Sequence, residues 1–571
     1  MKKLIILLFF GVFIAKTQAQ EYFPNNESIP NKNNYYTAFT NAKIYVTPTQ
    51  IIEKGTLLIQ NGKVVASGNS VAIPKNAMII DAEGKSIYPS FIDMYTSFGA
   101  DKPKRAASSE RGSSYDTKRA AYYWNENIRS EINAYETFAY DETKAEELLK
   151  AGFGVVGTHI QDGIARGTGA IVALNNSDKT NRILSNKASQ HFGFTRSVTT
   201  NQSYPSSLMG MMALLRQMYH DKEWYKNGNA TNKDLSLEAL IANEKLVQIF
   251  TAEDKLNSLR ASKIAKEFGL NYILKGAGNE FERIQEIKKT NASFIIPINF
   301  PEAYDVSNPF NANQMELADL RFWNQAPSNL KVLSENGITF ALTTDKLKKI
   351  EDFRGNLLKA IQFGFDPTKA LEALTTTPAA LLGKSNEIGS LKTGSYANFI
   401  ITSGAIFDEK TIVFENWVQG NKYVINDWTV KDIRGEYDLT VSNETYKLKI
   451  EGEVAKPKSD ITTADKKKVK SNLTFANQWF TLLIKSNDDV KTNFLRLNGL
   501  VDNTENLSGK AILNNGSEVT WYAKKTAPFK IVKDSSAVEK PFAVQPVTYP
   551  NIAYGNTELP KAQTLLFKNA T

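Results

Sequence analysis

Helical patterns alternate with short apolar runs from Phe91 to Leu382. The stretch AYDETKAEELLKAGFGVVGTHI shows the repeating unit, with a helix over Glu142 to Lys150, Gly152 as its C-terminal cap and a strand that starts at Val155. The same order recurs in LRASKIAKEFGLNYILKGAG, FERIQEIKKTNASFIIPINF and NLKVLSENGITFALTTD. Consecutive units of this kind predict a parallel sheet with crossover helices. Because no glycine-rich phosphate loop occurs, the pattern favours a (β/α)8 barrel over an open doubly wound sheet.

Short β patterns flank this region on both sides. In TLLIQNGKVVASG, Asn61-Gly62 between two apolar runs predicts a hairpin. From Asp432 to Lys525, strands alternate with turn clusters, which predicts a separate small antiparallel β domain. The charged stretch from Lys456 to Lys470 is expected to be an exposed loop of that domain, and the Pro-, Ser- and Ala-rich sequence from Thr526 onward a linker.

The first residues have the layout of a secretory signal peptide. Lys2-Lys3 precedes the apolar run LIILLFFGVFIA, and Thr17 and Ala19 are small residues placed before a cleavage site. The run is short for a permanent anchor, and no other run of about 18 apolar residues occurs, so no membrane span is expected. We expect cleavage after Ala19 and export to the periplasm or the extracellular space.

Composition narrows the class of protein. The 571 residues carry a formal net charge of +9, and three of the lysines lie in the signal segment. This mild charge, with no basic stripe interleaved with aromatics, argues against nucleic-acid binding. The chain has no cysteine, which excludes disulfides, cysteine-based metal sites and a lipid-modified N-terminal cysteine.

Two stretches resemble the amidohydrolase superfamily. PSFIDMYTS, from Pro89 to Ser97, stands where the family's first barrel strand reads P-G-F-I-D-x-H-x-H. TPAALLG, from Thr377 to Gly383, and IGSLKTGSYANFI, from Ile388 to Ile400, are similar to the family's late T-x-N-P-A-x-x-L-G and I-G-S-L-x-x-G-x-x-A-D-x-V motifs. The resemblance covers about 36–426 and is nearest to the imidazolonepropionase-like branch.

The resemblance implies a TIM-like (β/α)8 barrel with a composite small β domain, built from the strands before and after the barrel. It divides the chain into a signal peptide (1–19), the first part of the composite domain (20–90), the barrel (91–384), the second part of the composite domain (385–431), the small antiparallel domain (432–525), and a linker with an opening strand (526–571). It also implies hydrolysis of C–N bonds with one or two metal ions, zinc in the family, at the carboxyl ends of the barrel strands.

The positions that the resemblance assigns to metal ligands hold poor ligands. Tyr95 and Ser97 stand in place of the first-strand histidines, and Thr251 and Lys275 in place of those after the fifth and sixth strands. A tyrosine binds a metal ion well only when it is ionised, which requires a pH close to its pKa of ~10. A serine hydroxyl is a still weaker ligand, and an ammonium group repels a cation. Asp345 alone is retained after the last strand, either as a vestigial base or as a buried carboxylate bonded to backbone N–H groups. The sequence therefore predicts no metal and no other cofactor in this chain.

The chain's three histidines are dispersed. We expect His159 at a strand end to be hydrogen-bonded locally, with a position facing the barrel mouth as the alternative. We expect His191 to be exposed in a loop and His220 to lie on the surface of a helix. In GIARGTGAIVALNN, Arg166 and Thr168 are candidates for the substrate pocket, because a similar loop lines it in the family; the alternative is a structural turn.

The segment from Leu565 to Thr571, LLFKNAT, resembles the opening strand of another amidohydrolase unit and echoes AFTNAKIYV near the start of the chain. This predicts a second unit as partner, and a locally docked C-terminal strand or a homo-oligomer remains an alternative.

Three functions follow as hypotheses. The first is an exported amidohydrolase-fold protein that lacks the metal site and acts as a structural or regulatory partner. The second is an active hydrolase of cyclic amides or peptides. The third is a protein that binds a small molecule, peptide or glycan, with Trp479, Trp521 and Tyr522 either as stacking residues or, more simply, as core.

Overall fold

The computed structural model of the chain describes residues 35–107, 112–115, 119–176, 181–428, 430–454, 456–476, 478–485, 494–513, 515–529, 543–550, 555–558 and 561–569. The predicted signal peptide lies outside these residues. In the described part, no helix is both long and apolar enough to cross a membrane.

One mixed sheet contains strands from both sides of the barrel in sequence. The strands are β1 (Thr37–Tyr45), β2 (Ile51–Gln60), β3 (Lys63–Gly68), β4 (Met78–Asp81), β5 (Ser86–Pro89), β14 (Phe399–Thr402), β15 (Val413–Val418) and β16 (Asn421–Val424). Their order is β16-β15-β14-β5-β1-β2-β3, and β4 pairs with the first half of β1. Asn61 and Gly62 connect β2 to β3 with φ of 51° and 74°, which confirms the predicted hairpin.

Eight strands form the barrel. They are β6 (Phe91–Thr96), β7 (Phe153–Thr158), β8 (Ala165–Ala173), β9 (Ile183–Gly193), β10 (Val247–Thr251), β11 (Tyr272–Lys275), β12 (Phe294–Pro297) and β13 (Phe340–Thr343). The sheet closes where the Thr343 hydroxyl donates to the Tyr95 carbonyl at 2.9 Å and the Thr344 N–H donates to Asp93 at 2.7 Å. The predicted barrel is therefore confirmed over the open sheet.

The strand β8 departs from the predicted parallel pattern. It pairs antiparallel with β7 on one side and with β9 on the other, so the Arg166 and Thr168 stretch is a central strand and the alternative of a turn is wrong. Its glycines permit close backbone approach, since a Cβ on Gly167 would lie 2.0 Å from the Ile132 carbonyl oxygen.

Helices cover the outside of the barrel. They are α1 (Glu142–Lys150), α2 (Leu208–Lys226), α3 (Leu235–Ala242), α4 (Lys255–Glu267), α5 (Ile284–Lys288), α6 (Pro309–Gln314), α7 (Leu317–Gln325), α8 (Asn329–Glu335), α9 (Asp352–Gln362), α10 (Pro367–Leu374) and α11 (Thr376–Leu381). The helix α1 has the predicted bounds, because the Asp141 side chain caps it by accepting from the Lys144 N–H at 3.1 Å, and Gly152 follows it at φ 97°.

A third sheet is antiparallel throughout and has its own apolar core. Its strands are β17 (Gly435–Val441), β18 (Glu444–Glu453), β19 (Lys456–Thr463), β20 (Lys468–Val469), β21 (Ser471–Ala476), β22 (Trp479–Lys485), β23 (Phe494–Leu500), β24 (Asn506–Ile512) and β25 (Glu518–Pro528). The predicted antiparallel domain is confirmed, but the predicted loop from Lys456 to Lys470 is wrong. In β19, Pro457 and Ile461 face the core while Lys456 and Lys458 face solvent. Buried and exposed positions therefore alternate as in a strand, and the many lysines led to the prediction of a loop.

Asn416 links the first sheet to the barrel. It lies in β15, is fully buried, and donates to the carbonyls of Leu149 and Phe153 at 3.0 and 2.9 Å. Its amide oxygen accepts from the Ser90 hydroxyl at 2.7 Å.

We expect N416L to lower the free energy of unfolding by about 3 kcal/mol, because it leaves buried carbonyls without a donor. Chemical denaturation would measure the change. N426A, at an exposed position whose amide donates to the Val413 carbonyl, should leave stability nearly unchanged, and an equal loss in both variants would contradict a linking role for Asn416.

Candidate functional site

A polar layer lies at the carboxyl ends of the barrel strands. Ile249 and Ile273 pack inside the barrel, and Thr251 and Lys275 follow them two residues later on the same strands. Side chains two positions apart share a face of a strand, so Thr251 and Lys275 also point inward, above the apolar layer. The sequence predicted both residues at strand ends, and they are the last residues of β10 and β11.

Arg166 joins two of the predicted positions. Its Nη1 donates to the Thr251 hydroxyl at 2.9 Å and to the Tyr95 hydroxyl at 3.3 Å, and those two hydroxyls are 2.8 Å apart. Its Nε donates to the Gly163 carbonyl at 3.0 Å. The guanidinium carbon would lie 3.0 Å from a Cβ on Gly193, so this glycine leaves the space that Arg166 fills. A buried cation is thereby held between the first and fifth strand positions.

Lys275 and Asp345 form the second part of the layer. Lys275 Nζ lies 2.5 Å from Asp345 Oδ2, and the lysine side chain is 1% exposed against 14% for the aspartate. The same ammonium group lies 5.5 Å from the centre of the Tyr95 ring, within cation–π range. The predicted sixth-strand and last-strand positions therefore neutralise each other.

A second ion pair stands at the mouth. Glu253 and Lys346 lie 3.0 Å apart, and both have left-handed backbone, with φ of 63° and 69°. Burial by itself would raise the pKa of Glu253, but the hydrogen bond from Lys346 and the nearby charges of Lys275 and Arg166 hold it below its usual value. The charges at the mouth are therefore paired, as Lys275 and Asp345 are further inside.

The sequence did not identify Asp93 as part of the site. Its carboxylate accepts from the Thr344 N–H and hydroxyl, each at 2.7 Å, and from the Tyr95 N–H at 3.0 Å. Burial raises its pKa to about 6, although these hydrogen bonds act in the opposite direction. Asp93 therefore positions Tyr95 and the loop that leads to Asp345.

Two of the three histidines meet inside the barrel. The rings of His159 and His191 stack with centroids 3.6 Å apart and planes 8° apart, and the Tyr95 ring lies 4.6 Å from His159. The prediction of an exposed His191 is wrong, because β9 extends to Gly193 and buries it. His159 bonds locally through its backbone, donating to the Thr96 carbonyl at 3.1 Å, whereas its ring nitrogens have no hydrogen-bond partner in the described part of the chain. His220 is exposed on α2, as predicted.

Burial keeps these two rings neutral. It lowers the pKa of both histidines well below the ordinary value, with added repulsion from Arg166 on both and from Lys275 on His159. The sequence did not predict this pair because His159 and His191 are far apart in the chain. They meet because β8 lies antiparallel between the strands β7 and β9 that lead to them.

The remaining predicted residues lie apart from this layer. Ser97 follows β6 and is exposed. Thr168 is buried and donates to Asn133 Oδ1 at 2.9 Å.

The residues present do not fit the zinc that the resemblance implies. The hydroxyls of Tyr95 and Thr251 and the ammonium of Lys275 occupy positions where neutral nitrogen ligands would be needed. The Arg166 guanidinium donates to both hydroxyls, and the Asp345 carboxylate is already paired. No group of three or more His, Cys, Asp or Glu side chains in the described ranges is placed to hold a metal ion.

Residues 282–426 match the amidohydrolase family model. In fold, the chain resembles an amidohydrolase from Thermotoga maritima MSB8, with 20% identity, a TM-score of 0.53, and coverage of 68% of this chain and 99% of that one. The barrel is thus an amidohydrolase-like TIM barrel.

Two further structures resemble the chain more weakly. They are a β-aspartyl dipeptidase from Fervidobacterium islandicum AW-1 (14% identity, TM-score 0.41, 68% and 97% covered) and a prolidase bound to N-methylphosphonate-L-proline (13%, 0.41, 68% and 99%). No curated protein sequence matches the chain.

We expect K275M and D345L each to lower the free energy of unfolding by about 3 kcal/mol, because either change leaves a largely buried charge unpaired. The double variant K275M/D345L should lose less than the sum of the two, since no charge remains. Denaturant titration of all four proteins measures the coupling, and strictly additive losses would show that the ion pair does not stabilise the barrel. K349M, in a solvent-exposed pair with Glu351, is the control and should leave stability unchanged.

The stacked histidines should make the protein less stable as the pH falls below about 6.5, because the unfolded chain then binds protons that the folded barrel excludes. Each histidine can add at most about 1.4 kcal/mol per pH unit. Asp93 acts in the opposite direction, since its raised folded pKa of about 6 favours the folded state as the pH falls toward its ordinary value.

Unfolding measured from pH 7.5 to 5 should therefore show a smaller slope in H159F/H191F than in the unchanged protein. The control H220Q, at an exposed position, should keep the original slope. Equal slopes in all three proteins would mean that the ring pair is not kept neutral by the fold.

Proposed function

We propose that this protein is an exported member of the amidohydrolase superfamily that has lost its metal site and acts as a structural or regulatory partner of a catalytic unit. In this proposal, its two flanking β segments act as one composite domain, and its nearest branch is the imidazolonepropionase-like one. The predicted signal peptide supports export.

The observation that carries the proposal is the pairing of charges within the barrel. Lys275 Nζ lies 2.5 Å from Asp345, and Arg166 bridges Tyr95 and Thr251. Each cation is fixed by a side chain at a position where the family would place a metal ligand. Among the residues at these positions, the one carboxylate is therefore paired, and the nitrogen-bearing side chains, Lys275 and the adjoining Arg166, are cations that cannot serve as metal ligands or as bases.

A hydrolase of cyclic amides or peptides is the alternative that this arrangement argues against most directly. Asp345 would have to act as its base, yet its carboxylate is engaged by an ammonium group. D345N should abolish turnover in an active hydrolase.

A binding role has separate support in the third sheet. Trp479 and Tyr522 are 56% and 45% exposed, so core packing, the simpler expectation for all three aromatics, is wrong for these two. Trp521 does pack in the core, and its Nε1 donates to the Asn498 carbonyl at 3.0 Å. The exposed pair is available to stack on a peptide or glycan.

We expect the purified protein, incubated with zinc and then desalted, to retain far less than one zinc per chain by elemental analysis. It should also hydrolyse neither dipeptides nor cyclic amides. A variant that restores nitrogen donors, Y95H/T251H/K275H, is the matched control and should retain more zinc, because it removes the ammonium and supplies imidazoles at the three buried positions. One zinc per unchanged chain, together with a hydrolysis that a chelator abolishes, would refute the proposal.

A further inference from the structure

The segment of residues 565–569 repeats a feature of β1 in both sequence and conformation. Phe39-Thr40-Asn41-Ala42 and Phe567-Lys568-Asn569-Ala570 share Phe, Asn and Ala at the same spacing. Asn41 has φ 60° and Asn569 has φ 58°. A left-handed residue other than glycine is uncommon, so the shared value at the shared asparagine indicates a common local preference.

In β1, the left-handed residue Asn41 lies where the strand exchanges one neighbouring strand for another. The first half of β1, through Thr40, pairs with β4, and the second half, from Lys43, pairs with β5. The register against β2 shifts between Phe39 and Ala42, so the strand changes its neighbour at Asn41. The Asn41 side chain donates to Asp81 of β4 at 2.9 Å, which fixes this bend.

The two segments differ in their surroundings. Phe39 is fully buried, and its ring contacts those of Phe399 and Trp417 edge-on, with both centroid distances at 5.1 Å. Leu565, Leu566 and Phe567 are 70%, 77% and 83% exposed, and residues 561–569 belong to no strand of the described chain. Three consecutive exposed apolar residues, in a segment whose sequence resembles β1, form a surface that can pair with a strand of another sheet.

An earlier segment, residues 543–548, packs against the barrel helix α7. Gln325 at the end of α7 donates to the carbonyls of Gln545 and Pro546, both at 2.9 Å, and Arg321 donates to the Thr548 hydroxyl at 3.0 Å. Residues 543–548 are thus fixed on α7, while residues 565–569 remain available.

We propose that residues 565–569 form a strand that inserts, in the position of β1, into a second sheet with the architecture of the β1–β5 and β14–β16 sheet. The partner is a unit of this architecture that lacks its own opening strand and offers an aromatic socket like that of Phe399 and Trp417. Phe567 fills that socket and Asn569 makes the bend. The inference rests on the proposed partner role and names the surface through which it acts.

The test removes the Phe39 ring from its contacts with Phe399 and Trp417 in the full-length chain. F39D removes the apolar side chain of β1, and F567D in the same chain prevents its own tail from replacing it. A synthetic peptide of residues 561–571 is then added to F39D/F567D, and thermal unfolding is followed. The midpoint should rise by several degrees with peptide concentration and saturate. A peptide of residues 35–45 is the positive control, and the 561–571 peptide carrying F567D is the negative control.

Rescue by residues 35–45 but not by residues 561–571 would overturn the proposal, as would equal rescue by the F567D peptide. If F39D/F567D does not fold, refolding from denaturant with each peptide and scoring the soluble protein recovered gives the same comparison. Failure of both peptides there also counts against the proposal, because a transferable strand must act without its chain. None of these outcomes depends on zinc content or hydrolysis, so the proposed function can fail separately.

Discussion

A buried ammonium group needs a negative partner, and this requirement organises the barrel interior. Lys275 is almost completely buried, and an unpaired charge there would cost several kcal/mol. Asp345 meets the need because barrel closure positions it: its N–H donates to the Thr343 hydroxyl at 3.1 Å, and that hydroxyl donates to the Tyr95 carbonyl of the first strand. The contact that joins the last strand to the first therefore also places the counter-ion.

The same requirement accounts for the chemistry of the neighbouring side chains. A guanidinium group can only donate, so it needs acceptors, and the hydroxyls of Tyr95 and Thr251 provide them without adding charge. The stacked pair of His159 and His191 lies beside Arg166 and Lys275, where a further positive charge would be repelled. Neutral rings can stack closely at this position, whereas two imidazolium rings could not. The interior thus combines two fixed cations, one carboxylate that pairs with Lys275, and uncharged groups that add no further positive charge.

The sequence predicted those parts of the fold that depend on local periodicity. The bounds of Glu142–Lys150 were correct because its helical pattern and the glycine that follows it are local signals, and the structure adds a capping Asp141 at its start. Thr251 and Lys275 end β10 and β11, at the strand ends to which the family resemblance had assigned them. The β8 strand was missed because its glycines have the spacing of a loop, and their actual use is close backbone approach.

The charge network of the site could not be read from the chain. Arg166 meets Tyr95 and Thr251, 71 and 85 residues away in sequence, and Lys275 meets Asp345 only because the barrel brings two strand ends together. Residue types at assigned positions were enough to argue that a metal would be poorly held. They gave no indication that the replacements would neutralise one another, since pairing depends on side-chain directions that tertiary closure sets.

Asn41 and Asn569 show which features of a strand depend on the local sequence and which depend on tertiary packing. One asparagine lies in the middle of a sheet and the other in an exposed segment, yet their φ values differ by only 2°. A bend that persists without neighbouring strands is encoded by the local sequence, because asparagine tolerates the left-handed region better than most residues. Burial is not encoded in this way, as the contrast between Phe39 and Phe567 shows. The left-handed residue is therefore present at Asn569 without strand pairing, and a sheet that accepted this strand in the position of β1 would change its neighbours at the same residue.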